Sequence, residues 1–119
     1  MRPKGRVIWT DLTVSDAEPV RDFYQAVVGW ESEDVPVEDH TDYNMTSDGD
    51  IVAGICRKEG YNAAIPSQWM NYIRVADLDA SLESVKEHGG KVVVEPRGEA
   101  GSRLAIIEDP AGAVCALME

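Results

Sequence analysis

The stretch RVIWTDLTVSD, residues 6–16, alternates between two kinds of side chain and ends in a residue that suits the start of a helix. Alternation with a period of two gives a strand two different faces. Strands disfavour aspartate unless it stands on a wet or functional face, so Asp11 marks one face as having a role. One face carries Ile8, Thr10, Leu12 and Val14, and the other carries Trp9, Asp11 and Thr13.

A helix is predicted directly after this strand. Asp16 is a suitable N-cap, Pro19 fits a first helical turn, and Gly29 ends the helix. Strand candidates then cover residues 30–35, 41–46 and 51–57, so the first half predicts the order β-α-β-β-β. The helix has apolar residues at spacings of three and four, namely Val20, Phe23, Tyr24 and Val27.

The same order is predicted again after a connector. Residues 58–68, KEGYNAAIPSQ, carry turn-forming residues and little periodicity. A strand at WMNYIRVAD, a helix at 78–88 and the strands KVVVE, RLAIIE and AVCALM follow, with a turn at DPAG. We therefore predict one domain over residues 1–119, with a first module at about 5–57, a linker at 58–68 and a second module at about 69–119.

A shift of 61 residues superimposes the two halves, which indicates an internal duplication. The positions that match are a hydrophobic pair at the strand end, the helix N-cap and the helix stop, where backbone geometry restricts the residue type. The matching pairs are Leu12 with Ile73, Val14 with Val75, Asp16 with Asp77, and Gly29 with Gly90.

Composition narrows the classes of partner. The formal net charge is −11, with 22 acidic and 11 basic residues, which disfavours binding to nucleic acid or to an anionic membrane. MRPKG has no apolar segment behind it, so no signal peptide is predicted. Cys56 and Cys115 form no CxxC motif and lie in apolar runs, so we expect reduced thiols in a cytoplasmic protein.

Three segments together resemble the vicinal oxygen chelate superfamily, which includes glyoxalase I, bleomycin-resistance proteins and extradiol dioxygenases. They are LTVSDAEPVRDFYQAVVGWE, YIRVADLDASLESVKEHGGKV and IIEDPAGAVCALM. VAGI, PSQW and DPAGA look like a glyoxalase-related bacterial subgroup. The resemblance covers essentially the whole chain and implies an α+β fold, in which two tandem β-α-β-β-β modules form an eight-stranded cleft with the helices outside.

The resemblance also locates the places where metal-dependent members carry their ligands, on the first and last strand of each module. Here these places hold Trp9 and Gly54 in the first module and Met70 and Ala116 in the second. None of these side chains can bind a divalent cation, so we predict no metal at this site and no cofactor. Of the two histidines, His40 is predicted in a solvated acidic loop, and His88 in the last turn of a helix, favoured by the helix dipole.

Aromatic and soft side chains concentrate on the predicted cleft face, as in sites for flat or partly aromatic molecules. Asp11 is a candidate catalytic or ligand-binding carboxylate, or else it forms a structural pair with Arg74. Trp69 points to the opposite face and is expected against a helix or a partner chain. Cys56 is read as a core thiol. The predicted ligand-binding residues are Trp9, Asp11, Tyr43, Met45, Met70, Tyr72 and Arg74.

Three functions remain open at this point. The first is a metal-independent protein that binds a small apolar or aromatic molecule. The second is a glyoxalase-like lyase or isomerase, or a dioxygenase, with an atypical or metal-free site. A scaffold role is a third and plainer reading. Because relatives often build a cleft from two chains, a homodimer is expected.

Overall fold

The two predicted modules are recognisable in the computed structural model, which describes residues 4–119 and only the backbone of Tyr61. The chain divides into two compact units. The first unit comprises residues 10–69, and the second comprises residues 70–119 with the described residues 4–9. The chain passes from one unit to the other within its first strand, β1, which spans Val7–Val14.

The first unit has four strands in the order β2-β3-β4-β1 with β1 parallel to β4. The other two pairings, β2 with β3 and β3 with β4, are antiparallel. The predicted linker contains a short 3₁₀ helix at Gly60–Ala64, a regular element that its composition did not predict. The bounds are β1 Val7–Val14, α1 Ala17–Val28, β2 Glu31–Val37, β3 His40–Ser47 and β4 Asp50–Arg57.

The second unit repeats this topology. Its strands follow the order β5-β8-β7-β6, with β5 parallel to β8 and the remaining pairs antiparallel. Eight strands and two helices in this order confirm the α+β class and agree with the internal duplication. The bounds are β5 Trp69–Arg74, α2 Leu78–Glu87, β6 Lys91–Arg97, β7 Leu104–Glu108 and β8 Val114–Met118.

The ends of the two helices show which of the residues matched by the 61-residue shift have the same structural role. Asp77 is the N-cap of α2 and its side chain accepts a hydrogen bond from Ala80 N at 3.1 Å, whereas Asp16 occupies the same position on α1 without such a bond. Gly29 ends α1 in the left-handed conformation, with φ at 83°. In the second unit Gly89 takes this conformation, with φ at 87°, and it is one of the two glycines, Gly89 and Gly90, that were predicted to stop the helix.

Gly90 is required for a different reason. A Cβ at this position would lie 2.7 Å from the Glu108 carbonyl oxygen and 2.9 Å from a methyl carbon of Val85. The match between Gly29 and Gly90 is therefore one of sequence only, because one glycine serves a left-handed turn and the other a close approach of two backbones.

The core of the first unit lies between α1 and its strands. Leu12 and Val14 pack there beside Ala17 of α1, which confirms that one face of β1 holds the helix. The Trp69 indole N–H donates to the Tyr24 hydroxyl at 2.9 Å, and the two rings meet edge to face, so the predicted contact of Trp69 with a helix is confirmed. The buried members of this core are Leu12, Val14, Ala17, Tyr43, Met45, Ala53 and Ile55.

The core of the second unit is built in the same way. Leu78 and Leu82 of α2 are buried against strands β7 and β8, and Ile73 and Val75 pack beside them. Within residues 4–119, neither helix has the length and apolar character needed to cross a membrane. The expectation that MRPKG starts no signal peptide rests partly on residues 1–3, which lie outside the described part.

An ion-pair network closes the second unit at Glu119. Arg103 donates from Nη2 to Glu119 Oε1 at 2.9 Å and from Nε to Oε2 at 3.1 Å. The same guanidinium reaches Asp79 Oδ2 at 3.2 Å, and Gly101 N donates to Glu119 Oε2 at 3.1 Å. Hydrogen bonds from Arg103 are the main reason that the pKa of Glu119 is lowered to about 2.

Acid unfolding is expected to reveal this network. Because the folded-state pKa of Glu119 lies below its ordinary value of 4.5, the ionised carboxylate stabilises the fold above about pH 4.5, and this stabilisation is lost as the pH falls toward 2. The free energy of unfolding is measured with urea at about pH 6 and at about pH 3. Its decrease from the higher to the lower pH is expected to be larger in the wild-type protein than in Glu119→Gln. Glu87→Gln, on an exposed part of α2, is the control and should behave like the wild type. Equal losses in the wild type and Glu119→Gln would contradict the assignment.

Candidate functional site

The face of the first unit that points away from α1 is polar at its centre. Asp11 of β1 pairs in register with Gly54 of β4, and Gly54 pairs with Asn44 of β3. Thr13 pairs with Cys56 in the same way. Residues opposite each other on neighbouring strands share a face, so these five residues lie on one surface.

Asp11 is a buried carboxylate, with 6% of its surface exposed. The Cys56 thiol donates to Asp11 Oδ2 at a sulfur–oxygen distance of 4.0 Å. Burial, followed by the charges of Asp11 and Asp42, raises the pKa of Cys56 well above its usual range. The thiol is therefore neutral and serves as a weak donor to Asp11, which disfavours a role as nucleophile.

Tyr43 and Met45 lie on the opposite face from Asp11. Tyr43 pairs in register with Ile55, which pairs with Leu12, and all three belong to the core beneath α1. This placement differs from the predicted one, because aromatic content alone does not tell which alternating set of β3 faces the helix. The Arg21 guanidinium covers the Tyr43 ring at 4.6 Å from its centroid. Contact of these two residues with a ligand stays a prediction.

The corresponding face of the second unit is apolar except for Arg74 at the end of β5. Tyr72 of β5 pairs in register with Ala116 of β8, and Ala116 pairs with Ile106 of β7. Met70 is buried and Tyr72 is half-buried. Arg74 is half-buried and donates from Nη1 to the Glu119 carbonyl oxygen at 2.6 Å.

The residues of the predicted Asp11–Arg74 pair belong to different units, and this pair stays a prediction.

The four positions that hold metal ligands in metal-dependent relatives lie on the strands that form these two faces. Gly54 lies beside Asp11, and Ala116 lies beside Tyr72. Trp9 precedes Asp11 by two residues on β1, so the two side chains share one face of that strand. Met70 precedes Tyr72 by two residues on β5 and shares its face in the same way. An indole, a thioether, a hydrogen atom and a methyl group do not form a ligand set for a divalent cation such as zinc. These side chains therefore do not fit the metal centre of the metal-dependent relatives.

The two histidines have different environments. His88 is the C-cap of α2, with Nδ1 2.9 Å from the Ser84 carbonyl oxygen, as its predicted place in the last turn implied. His40 is the first residue of β3 and contacts three carboxylates, Asp39, Asp42 and Glu59, instead of standing in a solvated loop. Desolvation lowers the pKa of His40, and the hydrogen bond with Asp39 and the nearby acidic charges outweigh it, so the net shift is upward. Glu59 is distant from His40 along the chain, so the local sequence around His40 could not predict its place in this cluster.

Comparison with known proteins shows the family to which the chain belongs. The family model described as Glyoxalase/Bleomycin resistance protein/Dioxygenase superfamily matches residues 6–117. Over 116 residues the chain is 29% identical to putative glyoxylase CFP32 of Mycobacterium bovis, which covers 97% of this chain and 44% of that protein. Over 115 residues it is 30% identical to anthracycline biosynthesis protein DnrV of Streptomyces peucetius, which covers 97% of this chain and 42% of that protein. The chain thus spans less than half the length of these curated relatives.

A solved structure shows the same fold. Methylmalonyl-CoA epimerase from Mycobacterium tuberculosis is similar over 100% of this chain and 92% of its own, with a TM-score of 0.55 and 20% identity. At this identity the likeness concerns the fold and not the reaction. Because the family model matches nearly the whole chain and both units have the expected topology, the chain belongs to the glyoxalase/bleomycin resistance protein/dioxygenase superfamily.

Proposed function

We propose that this chain is a metal-independent small-molecule-binding protein of the glyoxalase and bleomycin-resistance type, holding an apolar or aromatic ligand. One observation carries the proposal: the four places that hold metal ligands in relatives contain Trp9, Gly54, Met70 and Ala116. The replacements include a large aromatic ring and a buried thioether, which favour contact with an apolar molecule over coordination of a cation.

Asp11 supplies the polar anchor in this proposal. Its carboxylate is buried in the first unit, and we propose that it accepts a hydrogen bond from a polar group of the ligand. A carboxylate accepts hydrogen bonds only, so the matching ligand group is an amine or a hydroxyl. Tyr72 and Arg74 on β5 are the corresponding candidates of the second unit.

The curated relatives support a planar aromatic ligand class. DnrV of Streptomyces peucetius is named as an anthracycline biosynthesis protein. Anthracyclines are planar and aromatic, and several carry an amino sugar, so they combine the two features that Trp9 and Asp11 would recognise.

A second candidate function is metal-free catalysis by Asp11. Its burial favours this reading, because a carboxylate removed from water can act as a general base toward a C–H or O–H proton. One relative is named putative glyoxylase, and this name supports an enzymatic reading for the present chain. In both readings Asp11 meets the ligand, and they differ in whether the ligand is changed.

We also propose a cytoplasmic homodimer. Phe23, Val27 and Val28 leave large apolar side chains exposed on α1, a surface that monomeric proteins usually avoid. A second copy of this chain is the proposed occupant, because the curated relatives have room for a second segment of this size. The free thiols of Cys56 and Cys115 suit a reducing compartment.

Ligand binding is expected to quench tryptophan fluorescence through Trp9. A panel of planar aromatic compounds, with daunorubicin as the amine-bearing member and anthraquinone as the uncharged one, is titrated into the protein. Saturable quenching with a Kd below about 0.1 mM is expected for at least one member. Trp9→Phe is expected to abolish the saturable part, whereas Trp30→Phe, in the helix-side cluster with Trp69, keeps it. Quenching that survives Trp9→Phe, or a panel without any binder, would argue against the proposed site.

Asp11→Asn tests the polar anchor and separates the two functions. The variant keeps the shape but loses the charge, so it is expected to weaken binding of daunorubicin by about tenfold or more and to leave anthraquinone unchanged. Chromatography of the recovered compound reports on catalysis. Unchanged ligand supports a binding protein, whereas a product formed by the wild type and absent with Asp11→Asn supports the lyase or isomerase.

Light scattering tests the dimer. A mass near twice 13.0 kDa is expected for the wild type. Val27→Glu is expected to shift the equilibrium toward the monomer, because it places a charge in the exposed apolar part of α1. Lys86→Glu, on α2, is the control. A wild-type mass of 13.0 kDa would overturn the dimer.

A further inference from the structure

His40 lies at the centre of a cluster that the proposed ligand site does not use. Its side chain is only 10% exposed. The Nε2 atom lies 3.2 Å from Asp42 Oδ1, and Nδ1 lies 3.3 Å from Asp39 Oδ1 and 2.7 Å from Glu59 Oε2. All four residues belong to the first unit.

Local structure fixes these side chains around the ring. Asp39 ends the turn before β3, and Asp42 stands two residues after His40 on the same strand face. Asp42 Oδ1 also accepts a hydrogen bond from Arg57 N at 3.0 Å. Glu59 is the N-cap of the 3₁₀ helix, and a reciprocal capping box with Asn62 holds its carboxylate in place.

The second oxygen of Glu59 lacks a partner that such an atom normally has. Water does not reach Oε2, and among the described residues no donor meets hydrogen-bond geometry with it, although Nδ1 of His40 is 2.7 Å away. Nδ1 instead has hydrogen-bond geometry toward Asp39. The Glu59 side chain as a whole is 40% exposed, but its Oε2 is shielded from water and faces the same His40 Nδ1 that Asp39 contacts, so one ring nitrogen lies against two carboxylates.

The net negative charge of the cluster also favours a bound cation. Asp39, Asp42 and Glu59 bring three negative charges to one imidazole, and a protonated ring would supply a single positive charge. Asp16 and Glu18 line a cavity of about 320 Å³ beside His40, and Arg57 is the only cation among its described lining residues. A divalent cation would balance this set more completely than a proton does.

We propose that His40 Nδ1 and the carboxylates of Asp39 and Glu59 bind one divalent transition-metal ion, while Asp42 orients the ring through Nε2. The three ligand atoms already lie within 4.8 Å of one another. Ligands of a zinc ion at about 2.1 Å lie about 3.0 to 3.4 Å apart, so the side chains would have to shift by up to about an ångström or somewhat more to complete the site. A carboxylate on the outer ring nitrogen is the usual support of a histidine ligand.

The ion has a structural role in this proposal. It connects the start of β3 with the segment directly after β4, two places that the β3–β4 hairpin brings side by side. None of its ligands occupies the places of the family's metal centre, so the site is independent of the metal-free ligand site proposed above. The mixed nitrogen and oxygen ligands favour zinc or cobalt over calcium and magnesium, which prefer oxygen alone.

Calorimetric titration of the tag-free, chelator-treated protein with Zn²⁺ tests this inference. Binding of one ion per chain with a Kd below about 0.1 mM is expected, at least tenfold tighter than Ca²⁺. Co²⁺ is expected to give visible absorption bands from a ligand set that includes nitrogen. Zn²⁺ is also expected to raise the thermal midpoint, because it binds the folded chain preferentially.

Variants identify the ligands. His40→Ala is expected to weaken Zn²⁺ binding by at least tenfold and to remove the Co²⁺ bands, and Glu59→Gln, which keeps the side-chain shape, is expected to weaken it similarly. Asp42→Asn is expected to cost about tenfold or more through the orientation of the ring. His88→Ala changes the only other histidine and is expected to bind like the wild type. Binding that is unaffected by both His40→Ala and Glu59→Gln, or no preference for Zn²⁺ over Ca²⁺, would overturn the proposal.

Discussion

Parallel pairing of the first and last strand in each module is the constraint on which the rest of the structure depends. The two strands cannot be joined by a hairpin, so the helix and the intervening strands must form the connection. The pairing sets Asp11 beside Gly54 and Tyr72 beside Ala116. The chemistry of the site is therefore decided by which side chains these two short registers bring together.

This constraint also explains how a superfamily fold can carry a different site. The backbone needs only apolar residues on the helix side, such as Leu12 and Val14, and it leaves the other face open to substitution. Relatives can place metal ligands there, whereas this chain places an indole and a thioether. The fold is retained because the replacements do not touch the packing of α1 or α2.

The sequence predicted those parts of the fold that local rules govern. The apolar period of the helices, the N-cap at Asp77 and the left-handed turn at Gly29 follow from the preferences of single residues. The position of Tyr43 could not be predicted in this way, because the face of a strand is decided by its register with neighbours. Gly90 was predicted only to help stop the helix, because its close approach to the Glu108 backbone involves a residue that is distant along the chain.

In the candidate sites, too, local sequence predicted some residues, whereas others depend on residues that are distant along the chain. Asp11 stood out because an aspartate within a strand is unusual, and its burial agrees with a special role. The His40 cluster was missed because Glu59 lies 19 residues further along the chain and is brought back only by the β3–β4 hairpin and the capping of the 3₁₀ helix. Local acidity then indicated solvation, whereas the folded chain gathers the charges around one ring.

The neutral thiol of Cys56 has a consequence for the chemical reactivity of the first unit. Burial and the adjacent carboxylate keep the sulfur protonated, and a protonated thiol attacks electrophiles slowly. Electrophiles that alkylate ordinary cysteines are therefore expected to modify Cys56 only slowly.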